Sequence, residues 1–430
     1  MSEPTTDLGA PDPARESAPL VVRTVLVHDP GPLLDLLPTT TDVTAWVRRG
    51  EGLVGWGTAA ICRTDGPDRF ARARAWWRDV AGGAVVRDEV GLPGTGLVCF
   101  GSFAFADEPG DSVLVVPQVV VGRRGGTTWV TTIGVGAIPA RPDLTPTEPP
   151  AAPAGVTFAD GALSGTEWET VVAEAVRRIN AGTLEKVVLA RDLYATARED
   201  VDVRWPLGRL AASYPMCWTF HVDGLFGATP EMLVRRERGL VTSRVLAGTI
   251  RRTGNDARDL ALAATLARSS KDLEEHEYAV RSVADALAPH CSSMNVPEAP
   301  FVLHLPNVMH LATDVAGVVH DASDPAATSL DLAASLHPSA AVGGTPTDRA
   351  TDLITEIEGM DRGRYAGPVG WMDVTGDGEW GLALRSAEID GPRVRLFAGC
   401  GIVADSDPEA ELAEGQAKFV PVRDSLADNH

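Results

Sequence analysis

The sequence has few cysteines, few basic residues and no long hydrophobic run, and each shortage excludes a class of protein. Its five cysteines are scattered without a CxxC pair, which argues against a zinc knuckle or disulfide framework and for reduced thiols in a cytoplasm. Lysine and arginine total 38 against 59 aspartate and glutamate residues, so a net charge of −21 disfavours nucleic acid and acidic membranes as partners. No apolar run approaches the roughly 18 residues of a membrane span, so we expect no membrane partner.

Short motifs for several common chemistries are also missing. The sequence contains no GxxxxGK[ST] phosphate loop, no GxGxxG after a predicted strand, no HExxH and no GxSxG. Nucleotide-binding, zinc-protease and serine-hydrolase functions therefore lack their defining residues. No repeat of roughly 20–50 residues is apparent, which argues against solenoids and propellers.

The chain has enough apolar sequence for one large domain or two ordinary ones, with 430 residues of which 44% are hydrophobic. Residues 1–19 are acidic and Pro-rich, which predicts a disordered tail and not a signal peptide. Residues 20–155 are predicted to be strand-rich and to end in a Pro-rich linker, while residues 156–430 mix strand groups with long helices. We expect the first long helix to start at a capping box of Thr166 and Glu169. This pattern predicts an α+β fold.

Two predicted helices each carry a pair of carboxylates one turn apart. Asp272 and Glu275 are three residues apart in one helix, and Glu411 and Glu414 have the same spacing in the final helix. If the two helices face each other, the converging carboxylates need a cation, and all-oxygen ligands favour Mg²⁺. The alternative is two solvated helix faces, with Glu414 forming an ion pair with Lys418 one turn later.

Three further charged side chains stand in apolar surroundings. Lys186 enters the apolar strand "KVVLA", where a partly buried amine could act as a base. Arg385 in "LALRSAEI" is predicted to lie inside an apolar strand, where its guanidinium needs a carboxylate from the protein or from a ligand. Glu231 in "FGATPEMLV" is a candidate general acid. The alternatives are that Lys186 is an ordinary lysine at a strand edge and that Arg385 and Glu231 each form a structural ion pair.

Several motifs follow one another along the chain: "KVVLAR", "FGATPEML", "LAGTIRR", "SSKDLEEH", "MHLAT", "LHPSAAVGGTP", "RGRYAGPVGW", "WGLALRSAEI" and "FAGCGIVADSDPEAELAEGQAK". In this order they resemble the motifs of the chorismate-utilising enzymes, and the resemblance spans roughly residues 164 to 422. That family includes isochorismate synthases, salicylate synthases, anthranilate synthase component I and aminodeoxychorismate synthase. The N-terminal residues, before about position 150, match it only loosely.

The resemblance implies two large, mainly antiparallel sheets packed together with helices outside, and Mg²⁺ bound to the carboxylate of the substrate chorismate. It also implies that residues 156–430 form the chorismate-binding catalytic region, with Lys186 as general base and Glu231 as general acid. The implied metal ligands are Glu275 and Glu414 directly, with Glu411 and Asp272 directly or through water. The implied substrate-binding residues are Gly248, Thr249, His310, Ala341, Tyr365, Arg385, Gly399, Gly401 and Lys418.

Within the family, the residues most resemble isochorismate synthases. Ala247 stands where aminodeoxychorismate synthases carry a nucleophilic lysine, so no covalent adduct can form at that position. Ala341 stands where ammonia-using and lyase members usually place threonine, and no "LLES" tryptophan-binding segment is present. The resemblance then implies reversible replacement of the C4 hydroxyl of chorismate by water at C2.

Three alternatives stay open at this point. Salicylate synthase shares the same catalytic groups and differs mainly in a subsequent lyase step, and anthranilate synthase component I would use ammonia. A chorismate-binding module without activity would lack the base or the acid, yet both Lys186 and Glu231 are present. The product's destination also stays open among menaquinone, a catechol siderophore and salicylate. We expect a cytoplasmic monomer.

Overall fold

The structure is a computed structural model that describes residues 18–39, 42–108, 110–304, 308–320 and 326–427, apart from the side chains of Thr249, Lys271 and Glu275. Residues 1–17 of the predicted tail lie outside this part. The helices are α1 Arg69–Gly83, α2 Gly165–Asn180, α3 Arg204–Ser213, α4 Asp256–Leu266, α5 Ser270–Leu287, α6 Ser329–Ser335, α7 Thr347–Ile357 and α8 Pro408–Leu426, with short 3-10 turns at Leu33–Leu36 and Ala288–His290.

The described part of the chain also contains the following strands, given in chain order. They are β1 Leu20–Leu26, β2 Val43–Arg48, β3 Glu51–Trp56, β4 Ala60–Thr64, β5 Val85–Asp88, β6 Val98–Ser102, β7 Ser112–Val116, β8 Val119–Arg124, β9 Thr127–Val135, β10 Thr157–Asp160, β11 Lys186–Thr196, β12 Trp218–Val222, β13 Leu225–Thr229, β14 Met232–Glu237, β15 Leu240–Arg251, β16 Cys291–Asn295, β17 Phe301–His304, β18 Val308–Val319, β19 Gly344–Thr345, β20 Pro368–Asp373, β21 Gly378–Leu382, β22 Ser386–Asp390 and β23 Arg393–Ile402.

These strands form two large sheets, which confirms the predicted α+β fold. The first sheet has 13 strands in the order β10-β11-β23-β22-β13-β12-β2-β3-β8-β9-β1-β5, with β19 paired to β11. The second has 10 strands in the order β16-β18-β15-β14-β21-β20-β6-β7-β4, with β17 paired to β18. Pairing is mainly antiparallel, and β1 joins β5 in parallel. Strands from before and after residue 155 share both sheets, since β2 pairs with β12 and β6 with β20.

An aromatic core joins the two sheets. Trp46 and Phe220 lie side by side across neighbouring strands of the first sheet, with ring centroids 6.3 Å apart. They belong to one buried cluster with Phe100 and Trp371 of the second sheet. Large aromatic side chains bury most area per residue, so this cluster is a major source of sheet-to-sheet stability. Helices cover the other faces, and no helix in the described part of the chain is long and apolar enough to cross a membrane.

Helix α2 starts at an earlier capping box than the one predicted from the sequence. The Ser164 hydroxyl accepts a hydrogen bond from the Glu167 N–H at 3.3 Å, and the Glu167 carboxylate accepts one from the Ser164 N–H at 2.9 Å. The predicted capping box of Thr166 and Glu169 is therefore wrong. Both pairs fit the S/T-x-x-E pattern, and the earlier start places Trp168 fully inside the helix, where its indole N–H donates to the Ala190 carbonyl at 3.3 Å.

Two of the links that carry the chain from one sheet to the other lie next to each other. Strand β13 of the first sheet leads through Pro230 and Glu231 into β14 of the second, and β21 of the second leads through Arg385 into β22 of the first. The links are hydrogen-bonded to each other, because the Ala228 N–H donates to the Arg385 carbonyl at 3.1 Å and the Leu382 N–H donates to the Glu231 carbonyl at 3.2 Å. Arg385 has a φ of 49° in this link. The prediction that it lies inside an apolar strand is wrong, because the apolar run is divided between two sheets.

Candidate active site

A cavity of about 480 Å³ brings together the site residues proposed from the sequence. Its lining includes residues of β11, β15, β18, β23, α5 and α8, of the two links at Glu231 and Arg385, and of the loop before β19. The side chains of Thr249 and Glu275 lie outside what the structure describes, although their backbones belong to β15 and α5. The predicted residues that line the cavity are Lys186, Glu231, Gly248, Asp272, His310, Ala341, Tyr365, Arg385, Gly399, Gly401, Glu411, Glu414 and Lys418.

Glu231 supplies a buried carboxyl in the link between β13 and β14. Glu231 is only 9% exposed, and burial raises the pKa of its carboxyl to about 7. The positive charges of Lys186 and Lys418 oppose that increase. The Glu231 backbone is held on both sides, since its N–H donates to the Thr229 hydroxyl at 3.2 Å and its carbonyl accepts from Leu382. A carboxyl with a pKa near neutrality can carry a proton to a substrate at physiological pH.

Lys186 enters the cavity from the first position of β11, opposite Thr345 of β19. Its side chain runs past Gly401 of the neighbouring strand β23. A Cβ atom on Gly401 would lie 3.0 Å from Lys186 Cε, which is tighter than most real contacts of a Cβ atom, and 3.6 Å from Nζ. Glycine at position 401 therefore leaves the space that the Lys186 side chain needs to reach the cavity.

Helix α8 contributes an anion–cation pair to the cavity wall. Lys418 Nζ lies 2.8 Å from Glu414 Oε1 and donates to the Gly399 carbonyl at 2.8 Å. Burial acts to raise the pKa of Glu414, but the Lys418 ammonium, which also donates a hydrogen bond to it, and the Arg385 guanidinium lower the pKa overall. The Glu414–Lys418 ion pair expected for a solvated helix face thus forms, and it forms at the cavity. One turn earlier, Glu411 accepts a hydrogen bond from the Ser406 hydroxyl at 2.7 Å.

Two neutral polar groups complete the lining. Burial, together with the positive charges of Arg385 and Lys418, lowers the pKa of His310 to about 3, so its imidazole is uncharged at neutral pH. Burial raises the pKa of Tyr365 to about 12, so its hydroxyl keeps its proton. A Cβ atom on Gly399 would lie 3.0 Å from the Tyr365 hydroxyl oxygen, which places that hydroxyl directly over the bare backbone of β23.

The acidic side chains of the cavity fit a hard divalent cation. Ligand atoms of Glu411, Glu414 and Cys400 lie within 4.8 Å of one another. Burial raises the pKa of the Cys400 thiol to about 12, so the sulfur stays protonated and the carboxylate oxygens are the available ligands. Asp272 adds a carboxylate from α5, and a Cβ atom on Gly248 would lie 3.3 Å from its Oδ1 atom. Oxygen ligands of this kind suit Mg²⁺.

Sequence reasoning missed a buried ion pair at the wall of the cavity. Glu358 and Arg362 are 1% and 3% exposed, and their Oε2 and Nη2 atoms are 2.6 Å apart. Arg362 also lines the cavity, as do Glu274 and Tyr278 of α5. The Glu-x-x-x-Arg spacing ends on the first residue of the "RGRYAGPVGW" motif, but this spacing alone is common on exposed helix surfaces.

Comparisons with known proteins agree with this geometry. A family model described as chorismate binding enzyme matches residues 43–427. Isochorismate synthase DhbC of Bacillus subtilis is 40% identical over 275 residues, which are 61% of this chain and 68% of the relative. The salicylate biosynthesis isochorismate synthase of Pseudomonas aeruginosa is 33% identical over 411 residues, 89% of this chain and 84% of the relative.

A solved structure gives the same result for the fold. MenF, the menaquinone-specific isochorismate synthase from Escherichia coli, superposes with a TM-score of 0.78 at 25% identity, covering 96% of this chain and 95% of that one. The family match extends over most of the described part of the chain, including strands β2 to β9, which the sequence motifs did not reach. The chain belongs to the chorismate binding enzyme family.

Proposed function

We propose that the chain is a Mg²⁺-dependent isochorismate synthase, which converts chorismate reversibly to isochorismate by adding water at C2 and releasing the C4 hydroxyl. The observation that carries the proposal is a cavity shared by a carboxyl with a pKa of about 7, Glu231, and an amine, Lys186. This reaction needs one group to take a proton and another to give one. The names of the two relatives support the same reaction.

Lys186 and Glu231 divide the proton transfers between them. In the forward direction Lys186 takes a proton from water, and the resulting hydroxide forms the new bond at C2. The ring double bonds shift, the C4–oxygen bond breaks, and the protonated Glu231 gives its proton to the departing hydroxyl, which leaves as water. Exchange with solvent then returns a proton to Glu231 and removes one from Lys186. The reverse reaction uses the same groups with their roles exchanged.

The remaining cavity residues hold the dianionic substrate in place. Arg385 and Lys418 carry the positive charges for its two carboxylates, while the neutral Tyr365 and His310 offer hydrogen bonds to uncharged oxygens. Mg²⁺, held by the carboxylates of α8 and α5, would supply a further positive charge for a substrate carboxylate. This charge is needed because the chain as a whole has a net charge of −21.

Two alanines favour a synthase within the family. Ala247 lines the cavity and has no nucleophile with which to form a covalent adduct. Ala341 also lines it and donates no hydrogen bond to water or to the pyruvyl group of the substrate. We infer that elimination of pyruvate is thereby disfavoured.

One product assay tests the proposal. The purified protein is incubated with chorismate and Mg²⁺, with and without an ammonium salt, and the products are separated by chromatography. Isochorismate should form in both conditions, and the Glu231→Gln variant should form almost none. Salicylate as the main product, anthranilate in the presence of ammonium, or unreacted chorismate would each refute the assignment.

A further inference from the structure

The ion pair of Glu358 and Arg362, called here the buried pair, lies at the wall of the cavity, which Arg362 lines and Glu358 does not. Helix α7 ends at Ile357, so Glu358 is its C-cap and Arg362 follows four residues later. The guanidinium makes two contacts to the carboxylate, Nε to Oε1 at 2.7 Å and Nη2 to Oε2 at 2.6 Å. Burying two charges is unfavourable unless further hydrogen bonds satisfy them. The buried pair therefore needs further hydrogen-bond partners, and these show which segments of the chain it holds in place.

The additional partners are backbone groups of the two segments that carry Lys186 and Ala341. Arg362 Nη1 donates to the Val342 carbonyl at 2.9 Å, and Nη2 donates to the Val188 carbonyl at 2.6 Å. On the other side, the Ala190 N–H donates to Glu358 Oε2 at 2.8 Å. Val342 follows Ala341 directly, and Val188 is two residues beyond Lys186 on the same strand face.

Direct backbone contacts join the same two segments. The Val188 N–H donates to the Gly343 carbonyl at 2.8 Å, and the Glu185 N–H donates to the Thr345 carbonyl at 2.8 Å. The loop before β19 is thus attached to the start of β11 by its own hydrogen bonds and again by the buried pair. Arg362 also stacks on the Phe105 ring, with its Cζ atom 4.2 Å from the ring centroid, which fixes the plane of the guanidinium.

We propose that Arg362, oriented by Glu358, is a positioning residue that sets the distance between Lys186 and the Ala341 loop. This inference rests on the proposed function, because it assigns to Lys186 the role of base. Arginine is required since only its planar fork can reach the carboxylate and both carbonyls at once. Four of its five N–H groups are used in this way, which leaves it poorly equipped to bind substrate directly.

The first test uses Arg362→Lys, which keeps the charge and loses the fork. A small displacement of a reacting group can cost about 100-fold in rate, so kcat for chorismate should fall by about 10- to 100-fold with little change in KM. The effect should disappear in a Lys186→Ala background, because residues that act as a unit are not additive. A rate loss of equal size in both backgrounds would overturn the claim that Arg362 acts through Lys186.

The matched control is Arg236→Lys. Arg236 and Asp377 also form a largely buried pair, with side chains 12% and 6% exposed, and Arg236 donates to the Thr375 carbonyl at 3.1 Å. Neither is among the described residues that line the cavity. We expect this variant to lose stability without the change in kcat, which separates positioning from general destabilisation.

Hydrogen–deuterium exchange gives a second measurement that does not depend on activity. Arg362→Lys, or Glu358→Gln if the first variant does not fold, should speed exchange in residues 186–190 and 339–345, whereas Arg236→Lys should not. Unchanged exchange in these segments would overturn the inference even if the protein makes isochorismate. Faster exchange in a protein that does not convert chorismate would instead refute the proposed function and leave the structural role of the buried pair standing.

Discussion

Replacing Glu231 with glutamine should stabilise the protein above neutral pH while removing its activity. Burial raises the pKa of this carboxyl from 4.5 to about 7. At about 1.4 kcal/mol per pH unit, ionising Glu231 in the folded protein is less favourable than in the unfolded chain by about 3 kcal/mol. Glutamine has nearly the same shape and cannot ionise, so it avoids this penalty.

The pH dependence of the effect follows from which state holds the proton. Below pH 4.5 the carboxyl is protonated in both states, and Glu231 carries no penalty. Between pH 4.5 and about 7 the folded protein keeps the proton that the unfolded chain has released, so the free energy of unfolding falls as the pH rises. Above about pH 7 both states are ionised and the full penalty of about 3 kcal/mol remains. The stability gained by Glu231→Gln should therefore be near zero at pH 4.5 and largest at pH 8.

Denaturant unfolding at pH 5 and pH 8 measures this difference. The matched control is Glu409→Gln, the same chemical change at an exposed position of α8. In activity assays, kcat of Glu231→Gln should fall by about 100-fold or more, and wild-type kcat/KM should fall about tenfold per pH unit above pH 7. A variant no more stable than wild type at pH 8 would refute the assignment of a desolvated carboxyl at this position.

Three other changes probe the remaining parts of the site. Glu414→Gln should abolish Mg²⁺-dependent turnover while Glu409→Gln leaves it intact, and full wild-type activity in excess EDTA would contradict a metal role. Lys186→Ala should lower kcat by about 100-fold or more without loss of the folded far-ultraviolet spectrum, and near-normal turnover would reassign the base. Ala341→Thr adds a hydroxyl whose hydrogen bond contributes about 1 kcal/mol, so the isochorismate-to-salicylate ratio should shift several-fold, and an unchanged ratio and rate would show that residue 341 does not discriminate between products.

The fold class was predicted correctly from the sequence, and most of the candidate residues line one cavity, but parts of their local structure were predicted wrongly. Paired carboxylates on two helices and a lysine at a strand entrance are local patterns, so they could be recognised without coordinates. The position of Arg385 could not be recognised in this way. Apolar residues on both sides of it are compatible with one continuous strand and equally with two strands in different sheets. The buried pair was missed for a related reason. Glu358 and Arg362 contact backbone more than 150 residues away in the chain, with sequence separations of 168 and 174 residues, and no local pattern reports such contacts.

The shared sheets have a consequence for how this enzyme can diverge or be recombined. Strand β2 is separated from the crossing at Glu231 by β12 and β13, and β6 is separated from the crossing at Arg385 by β20 and β21. Residues 20–155 are therefore connected to each of these two links through two intervening strands, one pair of strands in each sheet. A chimaera that takes residues 20–155 from a relative would replace interior strands of both sheets and not an appended module. Its new side chains would pack against the strands that lead to Glu231 and to Arg385, so we expect such an exchange to move both links together.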